Sequence, residues 1–174
     1  MIKTGRTNHT DAAIRLFTTG GTIDNLDYER IKDAPRVKKS RIPALVRGRL
    51  RVTHPVSIEH LMAKDSRFIT EADMELIAKK CLGCPEERIV ITHGTFTMER
   101  TASYLQKKKI PKTIVLTGSH TPLEQPGDAE FNIGTAISAA QIKPKGVWVV
   151  LQGRIFGAGH VTKNLGTGFF EQRN

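Results

Sequence analysis

The chain has 174 residues, of which 39% are hydrophobic, so it can bury a full single-domain core without disulfide or metal staples. Its formal net charge is +10, but aromatic residues make up only 6% and none interleave with the basic runs, which argues against a single-strand nucleic-acid surface. No apolar run reaches the length of a membrane span, and residues 1–13 lack the apolar stretch of a signal peptide, so a soluble cytoplasmic protein is expected.

The predicted elements alternate between β-branched runs and amphipathic helical windows. Ile14–Thr18 reads as a strand ending in Gly20-Gly21, and Pro43–Val46 as a short proline-started apolar segment. Leu50–Val56 is the second strand candidate. Thr70 can cap a helix from Glu71 to about Cys81, with Met74, Ile77, Ala78 and Cys81 on one face. A strand over Arg88–Thr92 precedes a helix from Met98 to about Lys108, and Thr113–Thr117 is a further strand. A small-residue helix over Phe131–Ala140 leads to Val147–Leu151, an apolar strand buried on both faces. The order predicts a three-layer α/β fold with a mostly parallel sheet flanked by helices. A single domain over residues 1–174 is expected, with 1–12 as a flexible tail and long irregular stretches at 19–42 and 152–174.

Cys81 and Cys84 form one C-x-x-C without a second cysteine pair or suitably spaced histidines, so packing is favoured over a zinc or redox role. Basic residues concentrate in Arg36–Arg41 and Arg47–Arg51, while Lys107–Lys109 suits a helix C-terminus.

In an open parallel sheet, ligands bind beyond the carboxyl ends of the strands. Four strand ends here share one vocabulary: Thr18-Thr19-Gly20-Gly21-Thr22, Thr92-His93-Gly94-Thr95, Thr117-Gly118-Ser119-His120 and Gln152-Gly153-Arg154. Glycines let the backbone approach a ligand, its N–H groups can hold an oxyanion, and the hydroxyls are candidate nucleophiles. Threonine and glycine are common at strand ends for structural reasons alone, so no single junction is decisive. The phosphate-loop, dinucleotide and nucleophile-elbow patterns do not occur in the sequence.

Thr19-Gly20-Gly21-Thr22-Ile23 and Thr92-His93-Gly94-Thr95, followed by Thr97-Met98-Glu99, resemble the two signature motifs of the bacterial-type L-asparaginases. Lys64-Asp65-Ser66, Thr117-Gly118-Ser119, Gly127-Asp128 with Phe131-Asn132, and Val161–Asn164 resemble further blocks in the same order, so the resemblance runs from about residue 14 to 165. It implies an α/β catalytic domain like that family's N-terminal domain, acting on L-asparagine and more weakly on glutamine, with neither metal nor organic cofactor. Thr22 is then the nucleophile and forms an acyl-threonine ester. Tyr28 resembles the lid tyrosine that assists it, at a shorter spacing than in long-chain enzymes. Thr95 and Lys163 resemble the second hydroxyl and its base, and Ser66 the residue that binds the substrate's α-carboxylate. Backbone at Gly21, Gly94, Thr95 and Ser119 is expected to position the amide and its oxyanion. His93 and His120 beside these motifs are expected to be structural.

The resemblance has two departures. Phe96 stands where the family carries an aspartate that binds the α-ammonium group. Loss of that anion, with aromatic burial, is expected to lower the pKa of Lys163. The chain also ends at Asn174, before the family's second domain, so homo-oligomerisation is expected, with Asp24, Asp27, Glu99 or residues 168–171 as possible contributors to the site. The alternatives are a catalytically weak binding module of the same fold, and an amidase subunit that handles aminoacyl-tRNA through residues 36–51. Nucleic-acid binding remains the lesser expectation.

Overall fold

The computed structural model describes residues 13–24 and 40–173. Among these described residues, eight strands and four helices follow in the order β1 (Ile14–Gly20), α1 (Ile42–Gly48), β2 (Val56–Lys64), α2 (Glu71–Gly83), β3 (Arg88–Thr92), α3 (Met98–Lys107), β4 (Thr113–Thr117), α4 (Asp128–Ile142), β5 (Gly146–Leu151), β6 (Arg154–Gly157), β7 (Val161–Lys163) and β8 (Phe170–Gln172). Single 3₁₀ turns at Thr22–Asp24 and Ser66–Phe68 follow β1 and β2.

The main sheet has six strands in the order β2-β1-β3-β4-β5-β6, all parallel except β6, which returns antiparallel beside β5. Helices cover both faces, giving the expected three layers. Alternation along the strands sorts the core. Phe17, Ile89, Ile91, Ile114, Leu116, Val147, Val149 and Leu151 face α2 and α3. Ile14, Leu16, Val90, Val115 and Val150 face α1 and α4. The α2 residues Met74, Ile77, Ala78 and Cys81 are all buried, as their helical spacing predicts, and burying Met74 or Ile77 contributes roughly 2 kcal/mol each. Thr70 and Asp73 close a capping box that fixes where α2 begins. Small side chains at Ala129, Ala136, Ala139 and Ala140 let α4 lie close on the sheet. Among the described residues, no helix is long and apolar enough to cross a membrane.

Three segments differ from the expectation. The second strand is Val56–Lys64, not Leu50–Val56: Arg51 adopts φ 51°, a left-handed conformation that cannot continue a strand, and the chain enters β2 only after Pro55. As the outermost strand, β2 carries polar residues whose partners come from neighbouring elements. Glu59 meets Lys80 at 2.6 Å, and His60 Nδ1 lies 2.8 Å from Thr18 Oγ1. Pro43–Val46 forms part of α1, with the proline in its first turn, where it leaves no helical acceptor unmatched. The described part of the stretch 152–174, residues 152–173, is not irregular throughout; it contains β6 and the β7–β8 hairpin.

Candidate active site

In the order 2-1-3-4-5, connections diverge at β1 and β3, so the crevice of this sheet lies at their carboxyl ends. Both threonine–glycine motifs lie there. Thr18 pairs with Thr92, and Thr92 with Thr117, so Thr18 near the end of β1 and the last residues of β3 and β4 form one buried row. The hydroxyls nearest this row lock the sheet. Thr19 Oγ1 donates to the Thr92 carbonyl and Thr117 Oγ1 to the Val150 carbonyl, each at 2.8 Å.

One step beyond, the chain turns. Gly21 has φ 82°, and its N–H donates to the Lys64 carbonyl at 3.0 Å. A Cβ on Gly21 would stand 2.5 Å from the backbone of Gly94, and one on Gly94 would stand 2.7 Å from Ser66 Oγ. The two glycines therefore let three loops close on each other. They deliver Thr22, Ser66 and Thr95 to one place.

That place is a cavity of about 280 Å³ lined by Thr22, Asp65, Ser66, Arg67, Gly94, Thr95, Phe96, Ser119, His120 and Lys163. Seven of the nine sequence-predicted site residues lie on its wall. Gly21 is not on the wall but packs against Gly94, and Tyr28 lies outside the described residues, as does Asp27. Asp24 does not line the cavity; its carboxylate accepts from Ser40 Oγ at 2.9 Å and the Arg41 N–H, and burial pushes its pKa up. Glu99 is not on the wall either.

Lys163 reaches the cavity from β7, where it pairs with the buried Phe170 of β8. The stretch 168–171 thus bears on the site by supporting the strand of Lys163. Lys163 Nζ lies 2.8 Å from Thr95 Oγ1, and burial holds the ammonium pKa below its ordinary value. Phe96 contributes less burial than expected, since its ring is 54% exposed. Ser66 is buried within its 3₁₀ turn, and its carbonyl accepts from Thr97 Oγ1 at 2.6 Å. Ser119 lines the cavity, and its hydroxyl is committed to the Thr121 carbonyl.

Supporting bonds hold the loop after β4. Burial pushes the Asp128 carboxyl up, but hydrogen bonds from the His120 and Thr121 N–H groups and the Thr121 hydroxyl outweigh it and hold the pKa below the usual value. Buried Asn132 donates to the Gly118 carbonyl at 2.9 Å and to Asp128, and accepts from the Gln152 N–H at 2.9 Å. His93 is fully buried: Nδ1 donates to the Gly94 carbonyl at 2.8 Å, which leaves Nε2 to accept from Thr101 Oγ1 at 3.0 Å. Burial pulls its pKa down to about 4, and the neutral ring braces the loop between β3 and α3. His120, by contrast, stands on the cavity wall.

Arg67 is the wall residue that the motif reading passed over. Its guanidinium pairs with Asp65 at 2.6 Å, and the one sequence signal was its place directly after Ser66. Part of the basic segment has an internal role. Arg41 pairs with Glu124, and Arg49 binds the Leu123 and Glu124 carbonyls and Glu130. Cys81 packs inside α2, and Cys84 Sγ lies 3.5 Å from Lys112 Nζ.

Similarity to known proteins agrees with this fold. The glutaminase-asparaginase of Acinetobacter glutaminasificans is 31% identical over 162 residues, covering 86% of this chain and 49% of the relative. A glutamyl-tRNA(Gln) amidotransferase component of Methanococcus vannielii is 32% identical over 156 residues, covering 82% of this chain and 34% of the relative. Among solved structures, the thermostable L-asparaginase of Thermococcus kodakarensis superposes with a TM-score of 0.78 at 28% identity, over 92% of this chain and 51% of that one. The chain thus spans about half or less of the length of these relatives. The sequence profile described as asparaginase, N-terminal, matches residues 13–170, and with that match over nearly its whole length the chain belongs to the asparaginase family.

Proposed function

We propose that this chain is the catalytic unit of a threonine-dependent amidohydrolase that releases ammonia from the side-chain amide of L-asparagine and, less well, of L-glutamine. Thr22 Oγ1 attacks the amide carbon, the C–N bond breaks as the nitrogen takes up a proton, and ammonia leaves an acyl ester on Thr22. Lys163, as the free amine, draws on the Thr95 hydroxyl, which in turn orients the water that attacks the ester. The ester C–O bond then breaks, Thr22 recovers its proton and the carboxylate product departs. Backbone at Gly94, Thr95 and Ser119 holds the amide oxygen as it gains charge, and Tyr28 assists the nucleophile.

The observation that carries this reading is the convergence of Thr22, Ser66, Thr95 and Lys163, from four separate segments, on one cavity at the switch point of the sheet. Ammonia release by wild type and Thr22→Ala, with mass spectrometry for a trapped acyl ester, tests it. Thr22→Ala should lower kcat by about 10³-fold or more with folding intact. Asparagine hydrolysis that survives the substitution would refute the nucleophile. Self-association belongs to the same reading, supported by the exposed Phe131, Leu165 and Phe169. A fully active dilute monomer on size exclusion would refute it.

A further inference from the structure

The charge of the cavity wall bears on which amide it takes. Arg67, Lys163 and His120 are its basic residues, and among the described residues Asp65 is its one carboxylate. Asp65 is already engaged on both oxygens: Oδ1 accepts from the Arg67 N–H at 2.8 Å, and Oδ2 from Arg67 Nε at 2.9 Å and a terminal guanidinium nitrogen at 2.6 Å. Neither Asp24 nor Glu99 is on the wall to replace it. Beside Thr95 the wall is the half-exposed ring of Phe96.

An ammonium group brought into this wall would lose hydration beside basic neighbours and meet an aromatic ring instead of an anion. A carboxylate gains there. The Arg67 side chain is 48% exposed, and its ion pair with Asp65 fixes its orientation. A guanidinium has five donors in a planar fork, so it can serve Asp65 and a ligand carboxylate together. The volume suits a molecule of few carbons.

We infer that the preferred substrate of this site is the terminal amide of a short dicarboxylic acid without an α-amino group, its free carboxylate held by Arg67 and its carbon chain lying against Phe96. This rests on the amidohydrolase reading and narrows it. Asparagine, with the same amide and carboxylate, is the poorer substrate because the described wall residues offer its ammonium no uncommitted carboxylate.

The test compares succinamate, L-asparagine and 3-aminopropanamide, which carry the carboxylate alone, both charged groups and the ammonium alone. Ammonia release should give kcat/KM at least tenfold higher for succinamate than for asparagine, with 3-aminopropanamide the poorest. Arg67→Gln should raise KM for succinamate tenfold or more with a smaller change in kcat, and Phe96→Asp should reverse the preference toward asparagine. Calorimetric titration of the Thr22→Ala protein with succinamate and L-asparagine reads recognition apart from chemistry. Tenfold tighter binding of succinamate without turnover by wild type upholds the ligand class and sinks the threonine mechanism. Asparagine bound or hydrolysed as well as succinamate overturns the ligand class and leaves the amidohydrolase standing. Failure of both to bind also overturns the ligand class.

Discussion

The side-chain nitrogen of Lys163 lies 2.8 Å from the hydroxyl of Thr95, across 68 residues of chain. As an ammonium, Lys163 donates to that hydroxyl; as an amine, its lone pair can take the hydroxyl proton. Burial favours the amine by pulling the lysine pKa down. Amide hydrolysis should therefore rise with pH through the neutral and alkaline range and level off once the amine dominates. Lys163→Met should lower kcat/KM by about 10²–10⁴-fold and flatten the profile. Phe96→Asp should move the rise to higher pH, because an adjacent anion stabilises the ammonium. Initial rates of ammonia release against pH check both.

Asn132 ties the Gly118 carbonyl, the Asp128 carboxylate and the Gln152 N–H into one buried junction. Asn132→Ala leaves those groups without their partner, at about 1–3 kcal/mol for each that stays buried. Urea denaturation should show a loss of at least about 2 kcal/mol on that principle. Activity should fall as well, since the same bonds hold the loop that carries Ser119. Unchanged stability with full activity would contradict the junction's role.

His93 supplies a stability signature in acid. Its pKa falls to about 4 in the folded protein, against about 6.5 for an unperturbed histidine. The unfolded chain therefore binds more protons between those values, so stability rises with pH across this window. The contribution is full above about pH 6.5 and is lost progressively as pH falls toward 4, amounting to about 3 kcal/mol. Denaturant unfolding between pH 4 and 7 should show this slope, and His93→Gln should remove it even though the variant is less stable at pH 7.

Gly21 combines φ 82° with a Cβ position 2.5 Å from the backbone of Gly94. Gly21→Ala should cost more than about 2 kcal/mol, since strain and overpacking add at one position. It should also depress activity out of proportion to stability, because the same contact seats Thr22 and Thr95. Thermal unfolding and kcat/KM on one preparation separate the two effects.

Local pattern determined much of this protein. Arg88–Thr92 and Thr113–Thr117 form strands over the predicted residues, and the buried face of α2 is the one its spacing indicates, because side-chain periodicity and the Thr70 cap act within a few residues. Polar β2 escaped that reading because Glu59 and His60 find partners on α2 and β1, which no local window contains. The same limit applied to the site. Thr18, Thr19, Thr22, Thr92, Thr95 and Thr117 belong to the same threonine–glycine vocabulary, yet cross-strand register commits four of them to the sheet and leaves Thr22 and Thr95 on the cavity. The placement of the β7–β8 hairpin, outside the six-stranded sheet, decided that Lys163 meets Thr95, whereas the Arg67–Asp65 pair is local, two residues apart, and only its position on the cavity wall is tertiary. The sequence by itself determined which chemical groups the chain owns and which local elements carry them. Only the tertiary structure decided which groups meet, because long-range contacts depend on strand order and register, whereas periodicity reports only which face of an element is buried.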